Sequence, residues 1–411
     1  MPRATPVRAH RRAHTGPPRE NRTREVPLSA GPGTPSPVAG HTAAATATLA
    51  PDPRRALRDF VTAVEGALVE FFDTRKALVE PLGPPFVESA DVLREFVLRG
   101  GKRTRPSFAW TGWLGAGGDP DGPDAPRVLR ACAALELVQA CALIHDDIID
   151  SSRTRRRFPT VHVDFEQRHR ERALPGDAAH FGVSVAILVG DLALAWADDM
   201  VNGAGLDPAA LARFATVWAH MRTEVLGGQL LDIQGEAGGD ETVAAALRIC
   251  EFKTAAYTIE RPLHLGAALA DAGPELVAAY RTFGKDIGVA FQLRDDLLGV
   301  FGDPEVTGKP SGDDLREGKR TVLLAEALRR ADAADPAAAR LLRSRIGTDL
   351  GADEVAHLRE LLVDLGAVDD VETRITDLTE RGLAALESSS AEPVAKAQLR
   401  AMALAATRRA L

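Results

Sequence analysis

Cysteine, aromatic residues and unbroken apolar runs are all scarce in this 411-residue chain. The three cysteines, Cys132, Cys141 and Cys250, show no CxxC spacing. That excludes a disulfide scaffold and a structural zinc site, and it points to a reducing cytoplasm. Aromatic residues make up 5% and the net charge is −8. Without aromatics interleaved among cations, and with an acidic balance, the chain is not a nucleic-acid binder. No stretch reaches the roughly 18 consecutive apolar residues of a membrane span, so none is expected. The best run, residues 184–196, is broken by Asp191.

Lysine is missing altogether from residues 1–53, which hold seven arginines, three acids (Glu20, Glu25, Asp52) and ten of the 26 prolines. This stretch has no apolar period and cannot offset its ordering entropy, so it reads as a disordered leader. No apolar segment follows the arginines, which disfavours a secretory signal, and the prolines would disrupt the amphipathic helix of a transit peptide.

What is present from residue 54 to 411 is one helical pattern after another. Apolar residues recur at three- and four-residue spacing over 55–79, 89–98, 127–150, 183–201, 208–234, 241–270, 275–301 and 320–331. Residues 353–411, rich in Ala, Leu, Glu and Arg, read as helix too. No period-two alternation is sustained, so strands are not expected. Residues 167–181 (QRHRERALPGDAAHF) read as an irregular mobile loop. The expected fold is all-α, a single-domain helical bundle.

Chemistry enters at the end of the 127–150 helix, in Asp146-Asp147-Ile148-Ile149-Asp150. Asp146 and Asp150 are four apart and share a helix face. Carboxylates at a helix C-terminus repel one another and oppose the helix dipole, a conflict that a divalent cation resolves. Hard oxygen donors favour Mg²⁺ or Ca²⁺ over zinc. An isolated acidic helix end is more often a solvated surface. A second one, however, follows another long apolar helix at Asp295-Asp296. Two such ends can face each other across a cavity, and Mg²⁺ held by a few carboxylates completes its shell with water and phosphate oxygens. Cations accompany both: Lys102, Arg103 and Arg105 in GGKRTRP, Arg153 and Arg155–Arg157, then Lys309, Lys319 and Arg320. These are the side chains that recognise phosphate, which makes a diphosphate the expected ligand.

Read together, these segments resemble the trans-isoprenyl diphosphate synthases, or polyprenyl synthetases, and are most like bacterial geranylgeranyl diphosphate synthases. The resemblance runs over most of the chain from Pro53. It rests on GGKRTRP (100–106), LIHDDIIDSSRTRRRFPTVH (143–162), GGQLLD (227–232), FKTAAY (252–257) and FQLRDDLLGVFGDPEVTGKPSGDDLREGKRT (291–321). It implies an orthogonal helical bundle around a central cavity, a cytoplasmic homodimer, and condensation of isopentenyl diphosphate with allylic diphosphates.

By that resemblance Asp146, Asp150 and Asp295 hold Mg²⁺, three ions per site, with Asp147, Asp296 and Asp232 as supporting acids. Arg155, Lys309 and Lys319 resemble residues that bind the allylic diphosphate. Lys102, Arg105, Gln139 and Arg156 resemble the cradle for isopentenyl diphosphate. Lys253, Thr254 and Gln292 match catalytic positions, Lys253 among the lysines on the allylic diphosphate and Thr254 and Gln292 facing the developing allylic cation. His145 adjoins Asp146 but is not expected to be the base, because adjacent side chains point in different directions. One departure stands out: Gly299 occupies the place where many relatives carry a third Asp of the second acidic segment.

Product length is read from Cys141 and Ala142, roughly 6 to 8 Å below Asp146 along the helix. Aromatic residues at these positions stop chain growth at fifteen carbons in some family members. Small residues here point to twenty carbons, geranylgeranyl diphosphate, with farnesyl and longer products as alternatives. A class I terpene cyclase and a non-catalytic partner subunit are rival readings. The leader is either inert or a docking tag, for example for an encapsulin-type shell.

Overall fold

The computed structural model describes residues 53–302 and 312–408. The expected disordered leader therefore lies, apart from Pro53, outside the described residues, and so does Lys309.

Helices dominate because apolar residues recur at helical spacing and proline or a short polar residue opens many of them. In chain order they are α1 (Pro53–Val79), α2 (Pro84–Leu98), α3 (Thr104–Gly115), α4 (Ala125–Ala133), α5 (Leu135–Ile149), α6 (Val161–Glu171), α7 (Ala178–Asn202) and α8 (Pro208–Gly238). Then follow α9 (Val243–Ile249), a π-helix (Cys250–Glu260), α10 (Arg261–Leu269) and α11 (Pro274–Phe301). The rest are α12 (Asp313–Glu317), α13 (Val322–Ala334), α14 (Pro336–Arg345), α15 (Ala352–Asp364), α16 (Ala367–Glu387) and α17 (Pro393–Thr407). Asp177 and Asp207 cap α7 and α8 by accepting backbone N–H bonds from His180 and from Ala209 and Ala210.

Several expectations are corrected. The reading of 167–181 as a loop fails because α6 runs to Glu171 and Asp177 already caps α7. The polar run QRHRER lies partly on that helix, and polar residues on a solvated face carry no apolar period. A two-stranded antiparallel hairpin also forms, Thr154–Arg155 (β1) with Phe158–Pro159 (β2), too short for alternation to reveal. The single helix expected over 241–270 is three segments, the middle one a π-helix.

Two stretches, Ala125–Ile149 and Ala178–Asn202, are also long and apolar enough, by length and composition, to cross a membrane. Counting only unbroken apolar runs missed them. The first is 67% buried inside the protein and the second only 28%.

The core forms where α5 packs on α7, α3 on α10, and α11 on the π-helix and α16. Leu68, Leu93, Leu137 and Ile144 are among its fully buried side chains. This packing fixes the ends of α5 and α11, where the acidic segments sit.

Candidate active site

The first acidic segment occupies the last turn of α5, with Asp150 as its C-cap. Like charges at a helix C-terminus need neutralising, and the β1–β2 hairpin brings the first cation. Arg155 on β1 folds back so that its Nε donates to both oxygens of the buried Asp147 at 2.9 Å. A second guanidinium nitrogen lies 3.6 Å from Asp146. The hairpin turn consists of Arg156 and Arg157 with φ of 51° and 69°. Positive φ at both central residues is what a type I′ hairpin turn uses, and it is strained for arginine. The strain is accompanied by a reach across the chain: Arg156 donates to the Gly100 carbonyl at 3.3 Å, beside exposed Lys102.

The other cations come from α9–α12. Lys253 on the π-helix donates to Asp232 of α8 at 2.5 Å, and its ammonium lies 3.2 Å from Asp146 Oδ1. That oxygen is buried and accepts no well-directed hydrogen bond, so the ammonium neutralises it without satisfying it. Burial works against the Lys253 charge, but Asp146 and Asp232 outweigh it and push the ammonium up to about 12. Lys319 lies 3.4 Å from Asp314 and 2.8 Å from Glu317. Its ammonium too is held charged against burial, by Asp314, Glu317 and, across the site, Asp150.

The second acidic segment belongs to α11. Asp295 is half-buried and Asp296 buried. Thr254 donates to Gln292 Oε1 at 2.7 Å, and the Gln292 amide donates to Asp296 at 2.7 Å, a relay from the π-helix to the acidic segment. Burial and then the neighbouring Asp314 push the Asp296 carboxyl up to about 8. Asp150 keeps an exposed edge, so its partial burial and the repulsion of Asp146 raise it less, to about 6. The carboxylates are crowded, and Arg155, Lys253 and Lys319 are cations beside them. Among the described residues no three acidic, His or Cys side chains converge tightly enough, as they stand, to hold a metal ion.

Why Lys253 and Thr254 sit here follows from the backbone. A π-helix is wider than an α-helix and commonly marks a functional site. Its neighbours must come close, and they do so with glycine. A Cβ on Gly228 of α8 would lie 2.6 Å from Lys253 Cα, and one on Gly288 of α11 2.6 Å from Ala255 Cα. The widened segment is thus clamped from both sides at the residues that carry the polar groups.

Other expected residues have partners of their own. Arg105 is buried, donates to Thr258 at 3.0 Å and stacks over Tyr257. Arg103 is tied up with Glu136 at 2.6 Å and the Val97 carbonyl. Gln139 is half-buried on α5, more than a turn before the acidic segment. His145 turns toward α7, with Nε2 3.2 Å from the Ile187 carbonyl and Nδ1 3.7 Å from Cys141 Sγ. Its Nε2 also lies 3.8 Å from Asp191 of α7. Cys141 is buried and Ala142 half-buried. Sequence reasoning missed Asp314, which no local pattern near Asp295 announces, and Gly228, whose place in GGQLLD is explicable only from the close approach. Two surface grooves of about 530 and 480 Å³, one along α2 and one by the start of α11, contain none of these residues.

The chain is 34% identical to a geranylfarnesyl diphosphate synthase of Aeropyrum pernix, over 69% of this chain and 81% of that one. It is 32% identical to a (2E,6E)-farnesyl diphosphate synthase of Mycobacterium bovis, over 64% and 67%. A crystal structure of geranylgeranyl pyrophosphate synthase from Corynebacterium glutamicum, complexed with isoprenyl diphosphate and magnesium, superposes with a TM-score of 0.83. Its identity is 51%, over 86% of this chain and 99% of that one. The polyprenyl synthetase profile matches residues 88–362, a span that takes in both acidic segments as well as Lys253 and Lys319, and the chain belongs to that family.

Proposed function

We propose that this protein condenses isopentenyl diphosphate with allylic diphosphates, 1′-4 and in trans, and releases geranylgeranyl diphosphate. The observation that carries this reading is the way cations are interleaved with the two acidic segments. Lys253 sits against Asp146, and Lys319 lies within the field of Asp150, Asp314 and Asp296. Metal and diphosphate together fit such a site, because ammonium groups suit phosphate oxygens and orphaned carboxylates suit a hard cation.

Magnesium, three ions in our reading, would be held by Asp146, Asp150 and Asp295, with Asp147, Asp296 and Asp232 supporting. The buried, unsatisfied Asp146 oxygen and the raised Asp296 and Asp150 carboxyls support that fit. When bound, the ions would act as Lewis acids on the departing diphosphate. The chain's own groups do the rest. Lys253, Lys319, Lys309 and Arg155 neutralise charge growing on the leaving group. Thr254 and Gln292 turn oxygen atoms toward the allylic carbon. Lys102 and Arg156 hold isopentenyl diphosphate alongside, where proximity favours attack. Arg105 and Gln139 complete that cradle in this reading, Arg105 from its stacked position on Tyr257. With His145 turned away, the released diphosphate takes the proton.

Cys141 and Ala142 leave room for a twenty-carbon chain. The relatives' names range from farnesyl to geranylfarnesyl, so product length rests on these two side chains. Mass spectrometry of products from dimethylallyl and farnesyl primers with isopentenyl diphosphate and Mg²⁺ tests the reading. A twenty-carbon diphosphate is expected, and a clean fifteen-carbon endpoint overturns the product assignment. Hydrocarbon release from an allylic diphosphate alone would instead identify a cyclase.

We also propose a homodimer. Leu188 on α7 and Leu226, Leu230 and Ile233 on α8 are exposed apolar side chains, and the last three share one helix face. The three cysteines are unpaired and buried, which supports a reducing, cytoplasmic setting. The catalytic unit is proposed as 54–411 and the leader as 1–53. Shell loading by that leader has only its composition behind it, and equal loading of full-length and 54–411 protein would remove it.

A further inference from the structure

We propose that Asp314, from α12, supplies the carboxylate that the second acidic segment lacks at Gly299. The proposal rests on reading the site as a magnesium–diphosphate centre. Gly299 lies one turn beyond Asp295 on α11, so a side chain there would share the Asp295 face. Glycine leaves that place empty, and a second element fills it. A Cβ built on Gly299 would overlap the Asp314 carboxylate, with Asp314 Oδ1 itself 3.0 Å away. The acid therefore stands where a longer residue at 299 would begin, delivered from fifteen residues downstream.

Its position is fixed by more than one contact. The five-residue α12 is bounded by Gly312 and Gly318, with φ of 79° and 75°. The N–H groups of Gly318 and Lys319 both donate to the Asp314 carbonyl at 3.1 Å. Leu315 is buried, and its carbonyl accepts from Gly347 N at 2.8 Å. Arg316 Nε donates to the Leu350 carbonyl at 3.1 Å. The Asp314 side chain is only 11% exposed and meets Lys319 at 3.4 Å. A surface acid serving solubility needs none of this. An acid held at the Gly299 position, beside Asp296 and Lys319, does.

The competing account is a structural ion pair, Asp314 merely steadying Lys319. Two variants separate them: Asp314→Asn, which keeps shape and removes charge, and the exchange Gly299→Asp with Asp314→Gly, which returns the carboxylate from α11. The first readout is the rise in thermal midpoint on adding MgCl₂ with inorganic diphosphate, which involves no turnover. The second is the Mg²⁺ concentration for half-maximal product formation.

Asp314→Asn is expected to weaken Mg²⁺-dependent binding about 10- to 100-fold, the usual effect of losing a carboxylate that supports a metal site. The exchange is expected to recover most of it. An Asp314→Asn protein that binds Mg²⁺ and diphosphate as wild type does would overturn the proposal, as would a folded exchange variant no better than Asp314→Asn. If the exchange variant does not fold, Asp314→Asn alone decides. Wild-type product formation is scored separately: its absence overturns the proposed function, whereas its presence beside an unaffected Asp314→Asn overturns only this assignment.

Discussion

At the scale of single residues, the acids were legible because a cluster of like charges ending an apolar helix needs a partner, and sequence alone shows that need. The surroundings of the expected length-control residues were less legible. Cys141 packs against His145, whose ring occupies space that a Cβ on Gly190 would take. Replacing Cys141 and Ala142 with phenylalanine should shorten the product from twenty to fifteen carbons, read by mass spectrometry. Unchanged length would remove these residues from length control. A different residue contributes to stability in acid. His264 of α10 is pushed down to about 4 by burial and by Arg261 beside it. Its folded value lies below the unfolded one near 6.5, so between the two the unfolded chain binds the extra proton. The stability His264 contributes is present above pH 6.5 and is lost as pH falls toward 4. The thermal midpoint should drop over that window, and less steeply in His264→Gln.

At the scale of elements, the long helices were readable from their period, and the departures from them were not. A π-helix has nearly the sequence pattern of the α-helix it interrupts, so 241–270 gave no warning of Cys250–Glu260. The hairpin is two residues per strand, and its turn uses arginines where glycine or asparagine would have signalled it. The glycines of GGQLLD behave oppositely to each other. Gly227 has open space around its Cβ position, whereas Gly228 abuts the Lys253 backbone. Gly227→Ala should leave the rate near wild type. Gly228→Ala should displace Lys253 and cut kcat about 10²-fold, because a misplacement of the order of 1 Å costs that much. Steady-state kinetics on both folded proteins is the check, and equal rates would mean the clamp does not position Lys253.

At the scale of the whole molecule, α7 carries a long apolar stretch of which much is left uncovered, and exposed leucines continue on α8. Leu188→Arg with Leu230→Arg should convert a dimer to a monomer by sedimentation or light scattering. A wild-type chain that is already monomeric would refute the assignment of those faces to a second copy. The other end of the chain is tied to the acids. Arg294, adjacent to Asp295, holds Glu372 of α16 at 2.6 Å through two nitrogens and donates to the carbonyl of Thr407, the last residue of α17. Lys253 and Lys319, for their part, act as resident counter-ions. With the proposed magnesium stripped by a chelator, the protein should keep its fold, since the repulsion among carboxylates is already offset from within. Reloading would then be an exchange of one set of positive charges for another, with no rebuilding of the bundle.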